Sequence, residues 1–158
     1  MTKIMPFITG SSIIWSLVLA VHILSITYWV GGSIYSALIV RSTVGLLDPG
    51  PRNSVLLQGY TRFFRGLYQV VPFTLLSGWA LIWHEGGFKV IGWPVNAMQG
   101  LGVVMAIIFV ITVQGPFMRA RRAMRPQPAL FDTLHQRMLL MAGLGVLTII
   151  VAAIARGI

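Results

Sequence analysis

The sequence predicts an all-α fold, an integral membrane bundle of four transmembrane helices, and three observations lead to it. The 158 residues are 56% hydrophobic and only 9% charged, whereas soluble domains carry roughly 25% charged residues. The mean hydropathy is +0.83. Four apolar runs are each long enough to cross a bilayer, which takes about 20 helical residues. We therefore expect one transmembrane domain over residues 1–158 and no separate soluble domain.

The first predicted helix, at about 12–40, places a histidine within an apolar run. Polar and small residues recur there at helical spacing and share one stripe, whose members are His22, Ser25, Trp29, Gly32 and Ser36. Ionisable residues inside membranes normally face the bundle interior. His22 is therefore the strongest candidate functional residue. The alternative is a neutral histidine that is hydrogen-bonded across the bundle to a backbone carbonyl or a hydroxyl.

The other predicted helices lie at about 64–84, 97–118 and 134–155. Asn96, with Gln99 three residues later, is predicted to begin the third helix, and Asp132 is predicted to cap the fourth. The fourth helix carries a stripe of small and flexible residues, which lets membrane helices pack closely. The members of this stripe are Met138, Met141, Gly145, Thr148 and Ala152.

The distribution of arginines predicts the orientation. Nine of the twelve lysines and arginines lie between the first two helices, between the last two, or just beyond, in segments that we interpret as interhelical loops. Because positively charged loops stay in the cytoplasm, we expect both termini to face outwards from a bacterial inner membrane. The net charge of +9 is thus interpreted as a topology signal, and nucleic-acid binding is set aside.

Several kinds of chemistry find no support in the residues. The chain has no cysteine, which excludes disulfides, thiolate metal ligands and covalent haem attachment. Its three acidic residues, Asp48, Glu85 and Asp132, are predicted in loops or at helix ends, so a paired-carboxylate mechanism has no obvious place. Metalloprotease, phosphate-loop and esterase motifs do not occur. Any metal must be held by histidine, methionine or oxygen.

Histidine and methionine are the ligands that hold haem iron without a covalent link, and a four-helix bundle is a suitable scaffold. We expect His22 to be one ligand, and we place His84 ahead of His135 as its partner because of their depths in the bundle. Met98 and Met105 are further candidates for the second ligand. The alternatives are interfacial positions for His84 and His135 and ordinary packing for the methionines.

Arg62 and Arg65 belong to an RFFR segment that precedes the second predicted helix. Their simplest role is to set the topology. The functional alternative is a cytoplasmic cradle for an anionic group, such as porphyrin propionates or a lipid phosphate.

Two segments carry a resemblance to a known family. HILSITYWVGGSIYSALIV resembles the first helix of the CopD and HemJ-like membrane proteins, in which a histidine precedes a W-x-G-G or W-F-A-G type segment. YTRFFRGLYQVVPFTLLSGWALI is similar to their second helix, in which an R-F-x-R element precedes an apolar run. The resemblance implies copper handling across the inner membrane for CopD-type proteins, or haem b and protoporphyrinogen oxidation for HemJ-type proteins. His22 matches the family histidine.

These observations lead us to expect a bundle that encloses a b-type haem ligated by His22, with Trp29 beside it. Its role would be electron transfer or porphyrin-linked redox chemistry, as a membrane oxidoreductase or as a subunit of a larger complex or homo-oligomer. Copper transport is the first alternative. A cofactor-free structural subunit is the second.

Overall fold

The structure is a computed structural model that describes residues 10–125 and 127–157, and helices account for most of them. Helix α1 runs Gly10–Ile34 and continues through a π-helical segment, Tyr35–Val40, into a last α-helical turn, Arg41–Val44. Helix α2 is Pro49–His84. Helix α3 runs Trp93–Thr112 and continues through a π-helical segment, Val113–Phe117, into Met118–Arg122. Helix α4 is Pro128–Gly157.

All four helices are long and apolar enough to cross a membrane, which confirms the prediction of an all-α fold with four helices of membrane-spanning length. Their outer faces carry large apolar side chains with no cover in the bundle: Leu24 is 69% exposed, Leu38 60% and Trp83 76%. A soluble protein rarely exposes so much contiguous apolar surface. The outer face is therefore compatible with a lipid bilayer.

Helix α2 begins 15 residues earlier than predicted, so the prediction of a loop over most of residues 41–65 is wrong. Asp48 precedes the helix, and prolines at Pro49 and Pro51 occupy its first turn, where proline costs no hydrogen bond. A buried stripe at helical spacing explains why the helix continues through the arginines. Its members are Leu56, Tyr60, Phe64, Leu67 and Val71.

Both predicted helix caps are also wrong. Helix α3 begins at Trp93, and the Asn96 amide instead donates a long hydrogen bond to the Phe88 carbonyl at 3.4 Å. Helix α4 begins four residues before Asp132. The Asp132 carboxylate accepts a hydrogen bond from the Arg41 guanidinium at 2.5 Å, and this ion pair ties the last turn of α1 to the first turns of α4.

Helix α1 packs against α2 and α4, and α3 packs against α4, whereas α2 and α3 make fewer contacts. The predicted stripe of small and flexible residues on α4 faces the interior of the bundle. Met138 and Met141 are fully buried, and Gly145 lies against Val30 of α1. Between α1 and α2, the Phe63 ring lies over Gly32 and the Tyr28 hydroxyl lies over Gly66. At Gly32 and Gly66, a side chain larger than a hydrogen atom would fit only if the neighbouring aromatic ring moved.

Candidate functional site

His22 lies on the face of α1 that packs against α2. Its Nδ1 atom is 3.0 Å from the carbonyl oxygen of Thr74 and 2.9 Å from the hydroxyl oxygen of Ser77. The Ser77 hydroxyl donates its own proton to the Phe73 carbonyl at 2.5 Å, a common backbone bond for serine in a helix. The Ser77 oxygen is therefore an acceptor towards His22, and so is the Thr74 carbonyl.

Two acceptors at one ring nitrogen fix the tautomer of His22. Nδ1 must carry the proton, because neither the Thr74 carbonyl nor the engaged Ser77 hydroxyl can donate to it. The neutral ring then has its lone pair on Nε2, which has no hydrogen-bond partner among the described residues. Metal-binding histidines are commonly held in this way, with one nitrogen donating to a backbone carbonyl and the other free to bind.

The His22 side chain lines a small cavity between the four helices, which we call the core cavity. Its volume is about 30 Å³, which suits one or two water molecules or a single metal ion, since a buried water needs roughly 10–15 Å³. All four helices contribute to its wall. The residues that line it are His22, Ile26, Trp29 and Val30 of α1, Thr74 and Leu75 of α2, Met98, Gln99, Gly102 and Met105 of α3, and Thr148 of α4.

Four of the residues predicted from the sequence thus meet at one place: His22, Trp29, Met98 and Met105. Trp29 and Met105 are 2% and 3% exposed, so both belong to the packed interior. The described residues include no group of three or more His, Cys, Asp or Glu side chains that could hold a metal ion. Metal binding at the core cavity would therefore depend on the methionine sulfur atoms.

Gly78 of α2 allows His22 and Gln99 to approach each other. A Cβ atom at Gly78 would lie 2.9 Å from Cε1 of His22 and 3.4 Å from Oε1 of Gln99. The first distance is too short for a real contact, so any larger residue would displace the imidazole. The absence of a side chain at Gly78 leaves room beside α2 for the side chains of both His22 and Gln99.

Two buried hydrogen-bond donors at the core cavity are unpaired within the described part of the chain. They are Nε1 of Trp29 and Nε2 of Gln99, and sequence reasoning did not single out Gln99 as a site residue. Buried N–H groups are almost always paired with protein or ordered water, so an orphan indicates a missing water or ligand. A water molecule in the core cavity could accept hydrogen bonds from these two groups when no other guest is bound.

The other two histidines lie elsewhere. The ring of His84 stacks on Trp15 with centroids 4.0 Å apart, and its Nδ1 is 3.7 Å from Glu85. It follows Ser77 by seven residues, about 10 Å along the helix. His135 precedes Thr148 by thirteen residues, about 20 Å, and its buried Nδ1 is unpaired in the described residues. The structure does not bring either histidine to His22.

Arg62 lines a second and larger space, a groove of about 370 Å³ between α1 and α2. Arg65, one turn further along, does not line it. The groove contains tyrosines, glycines and a serine but neither histidine nor methionine. It therefore offers none of the ligands that hold haem iron in the histidine and methionine arrangement predicted above.

Haem does not fit the residues as the structure arranges them. The core cavity has the histidine and methionines but only about 30 Å³ of space, whereas pockets for small organic ligands measure roughly 300–1,000 Å³. The groove has the space but lacks those ligands. The core cavity beside His22, as the structure arranges it, is too small to enclose a porphyrin.

No protein-family model, no curated protein and no solved structure matches this chain. The likeness to CopD and HemJ-like proteins stays a prediction that rests on the two segments quoted above. The residues that line the core cavity are therefore the best indication of function.

Proposed function

We propose that this protein binds a single copper(I) ion between the four helices of its transmembrane bundle and takes part in copper handling across the membrane. The observation that carries the proposal is the meeting of His22, Met98 and Met105 at one cavity of ionic size. Thioether sulfur selects soft ions such as copper(I), and imidazole is also a good copper ligand. Copper transport, the alternative predicted from the sequence, is thus favoured over haem binding.

The charge of the site also favours a monovalent ion. Every side chain that lines the core cavity is formally neutral, and charge is costly to place inside a membrane. Copper(I) brings one positive charge where zinc or iron(II) would bring two. Hard divalent ions prefer oxygen ligands, and no carboxylate lines this cavity.

Each protein group has a separate role in the proposed site. Donation from Nδ1 to the Thr74 carbonyl orients the His22 ring, which leaves Nε2 as the nitrogen ligand. Met98 and Met105 supply the sulfur ligands. Trp29, which is buried beside them, supplies an aromatic ring, and indole is the best side chain for attracting a cation to its face.

The unpaired N–H groups of Trp29 and Gln99 indicate that water occupies the core cavity when no metal is bound. A water molecule in the core cavity would accept hydrogen bonds from both, in a space that suits one. A purely hydrated cavity needs no sulfur atoms, however, whereas a copper site does. Replacement of the methionines therefore distinguishes a copper site from a water site.

We further propose a bacterial inner-membrane location with the arginine-rich ends in the cytoplasm. The nine basic residues at one end of the bundle support this orientation, since positive charge close to the ends of membrane helices is retained on the cytoplasmic side. The hairpin between α2 and α3 and both chain termini would then face outwards.

The experiment is to measure copper and haem in protein purified from copper-supplied cells. We expect about one copper per chain and no Soret band in the wild type. The variant His22→Gln should lower copper(I) affinity by at least about tenfold because a ligand is lost. The matched control is His84→Gln, whose side chain is 41% exposed and which should bind copper normally. A stoichiometric Soret band, or no copper in the wild type, would contradict the proposal.

A further inference from the structure

The groove between α1 and α2 lies at the arginine-rich end of the bundle and has two unlike parts. Tyr28 and Phe63 stack on each other at one end, with ring centroids 5.8 Å apart. Ser36, Tyr60 and Arg62 supply hydroxyl and guanidinium groups. An occupant that satisfies both parts must be amphipathic.

The polar part of the groove is rich in donors that lack partners. Tyr60 is 3% exposed and Ser36 is 9% exposed, yet neither hydroxyl has a hydrogen-bond partner among the described residues. Arg62 has no ion pair in the same part of the chain. Three unengaged donors beside one space favour an acceptor-rich, anionic group.

The charge around the groove is not balanced by the protein. Nine basic residues lie at this end of the bundle, together with only two of the three acidic residues. One of these acids, Asp132, is already paired with Arg41. The excess of positive charge favours a negatively charged guest, and basic pockets between helices at the cytoplasmic side commonly bind anionic lipid head groups.

The backbone of α1 departs from the α-helix beside this groove. Its π-helical segment, Tyr35–Val40, contributes Tyr35, Ser36 and Val40 to the wall. Isolated π-helical turns within α-helices are frequent at functional sites. The π-helical segment of α1 therefore lies beside the polar groups of the groove.

We propose that the groove binds one anionic phospholipid from the leaflet at the arginine-rich end. The phosphate oxygens accept hydrogen bonds from Arg62, Tyr60 and Ser36. An acyl chain follows the aromatic end along Tyr28 and Phe63. This lipid site is independent of the copper site, because the core cavity and the groove share no lining residue.

The test uses the full chain, purified and then equilibrated with phosphatidylglycerol or phosphatidylcholine of identical acyl chains. Native mass spectrometry counts the lipid that stays bound. We expect one retained phosphatidylglycerol per chain, at least about tenfold preferred over phosphatidylcholine because its phosphate is not neutralised by a choline. Equal retention of the two lipids would overturn the proposal.

Two pairs of variants locate the lipid. Arg62→Gln should lose the preference, whereas Arg65→Gln, an exposed arginine three residues away that does not line the groove, should keep it. Gly59→Leu should fill the groove, since a Cβ there meets no atom within 4 Å. Gly143→Leu, equally open and on α4, is the control. Wild-type retention in both Arg62→Gln and Gly59→Leu would place the lipid elsewhere and overturn the proposal.

A last arm separates a phospholipid from a free phosphate compound. Glycerol phosphate carries the same anionic head but no acyl chain, so an excess of it should not displace the retained phosphatidylglycerol. Displacement would show that the groove recognises the phosphate alone, and it would contradict the role given to Tyr28 and Phe63. Circular dichroism and size-exclusion chromatography confirm that each variant is folded, and Arg62→Gln decides the matter alone if Gly59→Leu does not fold.

Discussion

The Nδ1 atom of His22 on α1 lies 3.0 Å from the carbonyl oxygen of Thr74 on α2, fifty-two residues later in the chain. This hydrogen bond joins two helices and also decides the chemistry of the ring. With the proton held on Nδ1, the lone pair of Nε2 is free for a metal ion or a water proton. In the proposed copper site, a histidine that would otherwise be a costly intramembrane residue acts as an oriented ligand.

Gly78→Ala should weaken copper(I) binding by about 10- to 100-fold, which is the usual effect of losing a group that orients a metal ligand. The added Cβ would lie 2.9 Å from Cε1 of His22 and would move the ring away from the core cavity. Competition with a copper(I) chelator measures the affinity. Gly143→Ala is the control because its Cβ meets no atom within 4 Å, and it should bind copper as the wild type does. Unchanged affinity in Gly78→Ala would argue against a ligand role for His22.

Gly145→Leu should destabilise the bundle by forcing α1 and α4 apart, with a cost of about 1–3 kcal/mol, typical of overpacking. A Cβ at Gly145 would lie 2.5 Å from Cγ2 of Val30, and the branched valine cannot rotate out of the way. Leu147→Ala, at a residue 45% exposed, should have little effect. Thermal unfolding in detergent compares the two variants.

A double substitution tests the same contact from both sides. Val30→Ala combined with Gly145→Ala should be more stable than the sum of the single effects predicts, since the smaller residue at position 30 makes room for the added methyl group. Strict additivity would show that the two residues do not share a tight contact.

The orientation is tested by reporters fused after Ile158 and within the hairpin between α2 and α3. Both should be active only outside the cytoplasm, because the basic residues at the opposite end retain that end in the cytoplasm. Cytoplasmic activity of the reporter after Ile158 would reverse the orientation. The proposed lipid site would then face the other leaflet.

The four long apolar helices could be predicted from hydropathy, but the start of α2 could not be placed by hydropathy alone. Arginines at positions 52, 62 and 65 lower the hydropathy of a segment that is nonetheless helical. The helical spacing of Leu56, Tyr60 and Phe64 was the signal that could have extended it. The role of Asp132 depended on Arg41 of another helix, and no local pattern reveals such a partner.

The candidate site was predictable in its residue types and not in its arrangement. His22 was conspicuous because an ionisable residue in an apolar run needs a partner. Which of the other candidates would meet it depended on helix pairing, and the structure brings Met98 and Met105 to it but not His84 or His135. Gln99 gave no signal of its own, because its buried amide is notable only beside the orphaned indole N–H of Trp29.

The central claim is most directly tested by a comparison of Met105→Leu with Met138→Leu. Both methionines are buried in the bundle, but only Met105 lines the core cavity. Since methionine and leucine have similar volumes, each change should cost less than about 1.5 kcal/mol of stability. The measurement is copper(I) affinity by chelator competition, together with the copper–sulfur signal in X-ray absorption. We predict that Met105→Leu loses affinity and sulfur signal while Met138→Leu keeps both, and equal binding by the two variants would contradict a copper site in the bundle core.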